Sequence, residues 1–118
     1  MLNKSASLDL TFQALADPTR RSMLAQLARG PATVSELARP WSISLPAVIQ
    51  HLAVLEGAGI IRSKKVGRVR TCRIEVRALS QAEQWIHGRR IEWEQRLDRL
   101  GDYLQTLKAQ GEDHGDSK

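Results

Sequence analysis

One cysteine in 118 residues leaves no intramolecular disulfide and no multi-cysteine zinc site. Aromatic residues are few, with three Trp, one Tyr and one Phe. No stretch approaches the ~20 apolar residues of a membrane span. Met1-Leu2-Asn3-Lys4 lacks the apolar core of a signal peptide, so the expected location is cytoplasmic. There is no Ser-His-Asp spacing, no Gly-rich phosphate loop and no pair of acids in an apolar setting, which leaves an enzyme without machinery. What remains is ordinary for a small folded domain, 42% hydrophobic and 26% charged. The length suits one compact domain that buries a core without staples. It is too short for two domains around a cofactor cleft.

Positive charge is present in excess, and it is concentrated. The chain carries 18 Lys plus Arg against 13 Asp plus Glu, net +5. Residues 60–78 hold Arg62, Lys64, Lys65, Arg68, Arg70, Arg73 and Arg77 against Glu75 alone. That segment therefore holds more than the whole excess. A focused patch raises the local potential and attracts a polyanion.

Hydrophobic periodicity predicts the elements. A first helix spans about Ser7 to Ala16, with Leu8, Phe12 and Leu15 on one face. Asp17 is an N-cap and Pro18 a first helical residue for a second helix to about Ala28, which buries Met23, Leu24 and Leu27. Thr33-Val34-Ser35-Glu36 is a capping box for a short third helix that Pro40 stops. Ser44 caps a fourth helix to about Glu56, with Ala47, Val48, Leu52 and Leu55 inward and Gly57 and Gly59 at its end. β-Branched runs 60–66 and 69–76 flank Gly67-Arg68 and read as a hairpin. Ser80 and Glu83 form another capping box, for a long helix to about Lys108. The expected fold is mainly α with a small β-hairpin, a winged helix-turn-helix. It divides into one DNA-binding and dimerisation domain, residues 1–108, and a disordered polar tail, residues 109–118.

A short helix, a tight turn and a second helix form a helix-turn-helix, whose second helix reads the DNA major groove with its early residues. Here those are Ser44, Leu45, Pro46, Ile49 and Gln50. Gln50 donates and accepts together, as bidentate contact with adenine requires. The hairpin follows where a wing belongs, and Arg62, Lys64, Lys65, Arg68 and Arg70 suit phosphate contacts, with Arg68 at the tip. His51 follows Gln50 on the same helix, where a phosphate-bonding or packing role stands level with base reading. RNA binding would show stacking aromatics on a sheet, and the hairpin has none. A protein-interaction module acting through the C-terminal helix, without sequence-specific DNA binding, is the alternative.

Three stretches resemble ArsR-type winged-helix regulators: Phe12 through Asp17-Pro18-Thr19-Arg20-Arg21, Thr33 through Ala38, and Ser44 through Ile61. The resemblance covers about residues 8–107 and implies a dimeric bacterial repressor that leaves its operator when an effector or partner binds. Metal-sensing members carry a cysteine pair in the third helix or His and acidic ligands on the last. Here Glu36-Leu37-Ala38-Arg39 has no cysteine, and the last helix offers His87 with Arg90 and Ile91 at helical spacing. The resemblance therefore implies a non-metal branch, and neither a metal nor another cofactor is expected. Ile49 stands where the family commonly has a small polar residue, and Cys72 where Tyr is frequent.

Two features keep two readings. Cys72 is either a small apolar strand residue beneath the wing or a redox-sensitive thiol activated by Arg70. The heptad series Leu79, Ile86, Trp93, Leu100 and Leu107, widened by Ala82, Leu97 and Leu104, either covers the core or pairs with a second subunit. The stripe outruns a domain this small, which points to a homodimer with Trp85 and Trp93 as anchors and with Leu8 and Phe12 joining. Two-fold symmetry then implies double-stranded DNA with a palindromic operator as the partner.

Overall fold

The computed structural model describes residues 4–116, with side chains placed for residues 7–111. The elements are α1 (Lys4–Leu15), α2 (Pro18–Leu27), β1 (Ala32–Thr33), α3 (Val34–Ala38), α4 (Leu45–Gly57), β2 (Ile61–Val66), β3 (Val69–Ile74) and α5 (Val76–Asp116). The fold is mostly helical with one small antiparallel sheet, as the sequence predicts. The chain divides into two compact units, residues 1–83 and 84–118.

In the first unit, three helices start where local chemistry says they should. The Asp17 carboxylate accepts from the Arg20 backbone N–H at 3.0 Å, and Pro18 occupies the first turn of α2. Thr33 and Glu36 close a reciprocal capping box at α3. Ser44 Oγ accepts from the Ala47 N–H at 3.3 Å to open α4. The end of α4 is equally specific. Gly59 N–H donates to Glu56 O and Ile60 N–H to Leu55 O, with Gly59 at φ +76°. This is a Schellman reversal, and a residue bearing Cβ would resist it.

The Asp17-Pro18-Thr19-Arg20-Arg21 stretch does more than cap. Arg20 Nε donates to Ala14 O at 2.7 Å and Nη2 to Gln13 O at 2.9 Å. Arg21 Nη1 donates to Leu15 O at 2.7 Å. These carbonyls belong to the last turn of α1, where no intrahelical partner is available. Two arginines of the following helix thus satisfy the end of the preceding one.

The core gathers Met23, Leu24 and Leu27 from α2, Leu37 from α3, Val48, Leu52 and Leu55 from α4, and Ile60, Ile61 and Cys72 from the sheet side. Trp41 and Leu79 pack against it. β2 and β3 pair antiparallel, from Ile61 opposite Ile74 to Val66 opposite Val69. Gly67 turns at φ +61° while Arg68 does not, the sign pattern of a type II′ hairpin. β1 is an addition to the expected hairpin: Ala32 and Thr33 pair with Cys72 and Thr71, so the sheet has three strands in the order β1-β3-β2.

The final helix corrects two expectations. It starts at Val76, so Ser80 lies inside the helix and is not its N-cap. Ala78 and Leu79 pack against the core, and Ala82 is buried, which draws the helix start ahead of the capping signal. At the other end α5 passes Lys108 and continues to Asp116, so the stretch expected as a disordered tail is helical that far. Residues 117 and 118 lie outside the described ones.

The second unit is the remainder of α5. Ion pairs Arg89–Glu92, Arg90–Glu94 and Arg96–Glu92 run along it at 3.3, 3.7 and 3.0 Å. Its large apolar side chains are exposed, with Trp93 at 61% and Leu97 at 60%. No helix among the described residues is long and apolar enough to cross a membrane.

Candidate nucleic-acid interface

The two faces of α4 are divided as the sequence predicts. Val48, Leu52 and Leu55 are buried, while Leu45 (50% exposed), Ile49 (42%), Pro46 and Gln50 face outward. Ser44 is exposed and caps the helix, so its hydroxyl oxygen is already in use at the place where α4 begins. The outward face of α4 is thus held by a packed inner face and a capped N-terminus.

A cleft of about 650 Å³ brings part of the expected site together. Leu45 and Ile49 of α4 lie on one side, Lys65, Arg68 and Val69 of the hairpin on the other, and Ser63 and Arg70 also line it. The start of α3, Thr33 to Ser35, completes the lining.

The hairpin does not put all its bases on that side. Alternation along the strands sends Ser63, Lys65, Arg70 and Cys72 to one face and Arg62, Lys64, Thr71 and Arg73 to the other. Arg62, Lys64, Thr71 and Arg73 line a separate hollow with Pro31. The basic arm is therefore two-sided, a point that the charge count conceals and that the Gly67-Arg68 turn register carries.

Two of the expected phosphate ligands are already engaged. Arg62 Nε lies 3.1 Å from a Glu75 carboxylate oxygen. Arg70 Nη2 donates to Glu56 Oε2 at 2.5 Å and Arg70 Nε to Ser63 Oγ at 2.8 Å, while Ser63 Oγ donates to Glu56 Oε1 at 3.0 Å. Among the described residues, Lys64, Lys65, Arg68 and Arg73 form no ion pair. Glu56 and Ser63 were absent from the expected site, because a pairing fourteen residues apart leaves no local pattern.

His51 also departs from the outward face of α4. It is half-buried, its Nδ1 accepts from Arg20 Nη1 at 3.3 Å, and it lies 3.8 Å from Asp17 Oδ2. It ties α4 to the junction of α1 and α2. The Arg20 backbone N–H holds the Asp17 carboxyl below its ordinary pKa, with the Arg20 charge adding to the effect. Thr33 does the same for Glu36.

Cys72 is fully buried, and burial pushes its thiol pKa up despite nearby Arg70. A raised thiol pKa lowers the thiolate fraction on which a sensor would depend. Among the described residues no group of three or more His, Cys, Asp or Glu is placed to hold a metal ion. Of the residues expected at a dimer contact, Leu8 and Phe12 are half-buried on α1, and Trp85, Ile86, Trp93, Leu97, Leu100 and Leu104 are exposed on α5. Arg89 stands over the Trp85 ring at 5.7 Å.

The arrangement has close relatives. The family model described as bacterial regulatory protein, arsR family, matches residues 17–63. The HTH-type transcriptional regulator Rv2034 of Mycobacterium tuberculosis is 43% identical over 63% of this chain and 69% of its own length. The transcriptional repressor SdpR of Bacillus subtilis is 31% identical over 64% of this chain and 83% of its own. A crystal structure of an ArsR family transcriptional regulator, RHA00566, is 49% identical, with TM-score 0.75 over 80% of this chain and 97% of the other. An ArsR-like regulator from Rhodococcus sp. RHA1 superposes with TM-score 0.72 at 31% identity, over 84% and 93% of the two chains. These relatives are regulators and repressors of transcription, not enzymes. With its capped α4, its basic hairpin and this kinship, the chain belongs to the ArsR family of DNA-binding transcriptional regulators.

Proposed function

We infer that the protein acts as a homodimeric, sequence-specific repressor that leaves a roughly palindromic operator when an effector or partner binds. The observation that carries this reading is the cleft. It sets the exposed start of α4 beside two wing bases without an ion pair, Lys65 and Arg68. Base reading then falls to Gln50, with Leu45, Pro46 and Ile49 against thymine methyls or sugar, and Ser44 at the phosphate edge. Lys65, Arg68 and, from the outer face, Lys64 neutralise phosphates. With three per subunit in a dimer, the slope of log affinity against log salt is about −5, from roughly −0.9 per phosphate.

Dimerisation is assigned to the α5 stripe with Leu8 and Phe12. Ten or so helical residues of large exposed apolar side chains would be costly left in water. Residues 1–108 then serve as one DNA-binding and dimerisation domain, working in the cytoplasm where bacterial DNA lies. The repressor assignment leans on SdpR, which is named a transcriptional repressor.

Selection of genomic fragments by the purified protein, followed by footprinting, tests the reading. The expected result is a pair of inverted half-sites whose centres lie about one helical turn, ~34 Å, or a multiple of it apart. Enrichment of no common sequence would refute it.

A further inference from the structure

A closed set of three hydrogen bonds, two of them to α4 and one within the hairpin, ties the wing to the reading helix. Glu56 lies in the last turn of α4, and Ser63 and Arg70 face each other's strands in the hairpin. Ser63 Oγ donates to one Glu56 oxygen and accepts from Arg70 Nε, while Arg70 Nη2 donates to the other Glu56 oxygen. Each partner has a local reason to be elsewhere. A carboxylate at a helix C-terminus opposes the macrodipole. Arg70 stands directly across the ladder from Lys65, a like-charged pair that strains the hairpin. The tertiary bonds offset both. Both side chains are about one-third exposed, 35% and 36%, where an ion pair adds little to stability. What the bonds do fix is geometry. Ser63 and Arg70 line the cleft between Leu45 and Ile49 on one side and Lys65 and Arg68 on the other.

We propose that Glu56, Ser63 and Arg70 form a clamp that sets the position of the wing against the reading helix. Arg70 is a positioning residue in it and not a phosphate ligand. The clamp is a source of sequence discrimination, because base contacts and phosphate contacts must be made at one fixed separation. This rests on the DNA-binding reading above.

The test uses the full chain, wild type and three variants: Glu56→Gln, Arg70→Gln, and the swap Glu56→Arg with Arg70→Glu. Affinity for the footprinted operator and for a scrambled duplex is measured across salt concentrations, beside thermal unfolding. Glu56→Gln releases the Arg70 guanidinium. Its affinity for scrambled DNA rises, its salt slope steepens by about 1 per subunit, and operator preference falls about tenfold. Arg70→Gln loses preference to a similar degree without the steeper slope. The swap restores preference. A purely structural pair would instead lower operator and scrambled binding together with the melting temperature. That result, or wild-type preference retained in both single variants, overturns the clamp. A wild-type protein that does not prefer its operator overturns the DNA reading itself, and the clamp with it.

Discussion

α4 and α5 are both amphipathic, and the two helices meet opposite fates. The apolar face of α4 is consumed by the fold, with Leu52 1% exposed and Val48 and Leu55 fully buried. Its other face, Leu45, Ile49 and Gln50, is left open beside the wing. In α5 only the first turns are used that way, through Leu79 and Ala82. From Trp85 onward its apolar residues remain exposed. A heptad pattern states that a face will be covered and leaves open by what. In α4 the cover is the chain itself. In α5 we assign it to a second copy.

The largest effect is expected at α5. Trp93→Glu places an unpaired charge in the proposed dimer seam, which costs about 3–5 kcal/mol when such a charge is buried. Sedimentation should then show monomers with an unchanged helical circular dichroism spectrum, and an intact dimer would return the stripe to some other partner. The counterpart in α4 is Leu52→Ala. It should cost about 2–5 kcal/mol in denaturant unfolding through lost burial and a cavity, and a change under 1 kcal/mol would deny α4 its place in the core. On the open face of the same helix, Gln50→Ala should leave stability alone and weaken one operator position by about 1–3 kcal/mol. Equal loss on operator and random DNA would remove Gln50 from base reading. Arg68→Ala should produce a smaller, uniform loss on all DNA and flatten the salt slope by about 1 per subunit. A slope unchanged across salt titrations would leave the wing tip without a phosphate. Finally, Cys72, with its raised pKa, should resist thiol reagents at neutral pH until the protein is unfolded. Fast labelling of the native chain would reopen its role as a sensor.

The contrast also explains what was legible. Caps at Asp17, Thr33 and Ser44 were readable because each is a contact within three residues. The inner face of α4 and the two arms of the hairpin were readable from period alone. β1 was not, since two residues become a strand only by pairing with Cys72 and Thr71, far along the chain. Ser80 misled for a related reason. Its capping box is sound local chemistry, yet contacts of Ala78 and Leu79 with the core begin the helix five residues earlier. The same limit applied to the basic arm. Counting charges located it, but strand register divides it between two faces, and Glu56 and Glu75 take Arg70 and Arg62 out of the open set. His51 moved inward because Asp17 and Arg20, on another helix, offer it partners.

We assign selection of a DNA sequence to the open face of α4 and the adjoining wing. The most direct measurement is the ratio of affinities for the footprinted operator and a scrambled duplex of equal length, at one physiological salt concentration. A ratio of at least about 10³ is expected, the lower range for sequence-specific binding. A ratio near one, with strong salt dependence on both duplexes, would reduce the cleft to a phosphate-binding surface and contradict that assignment.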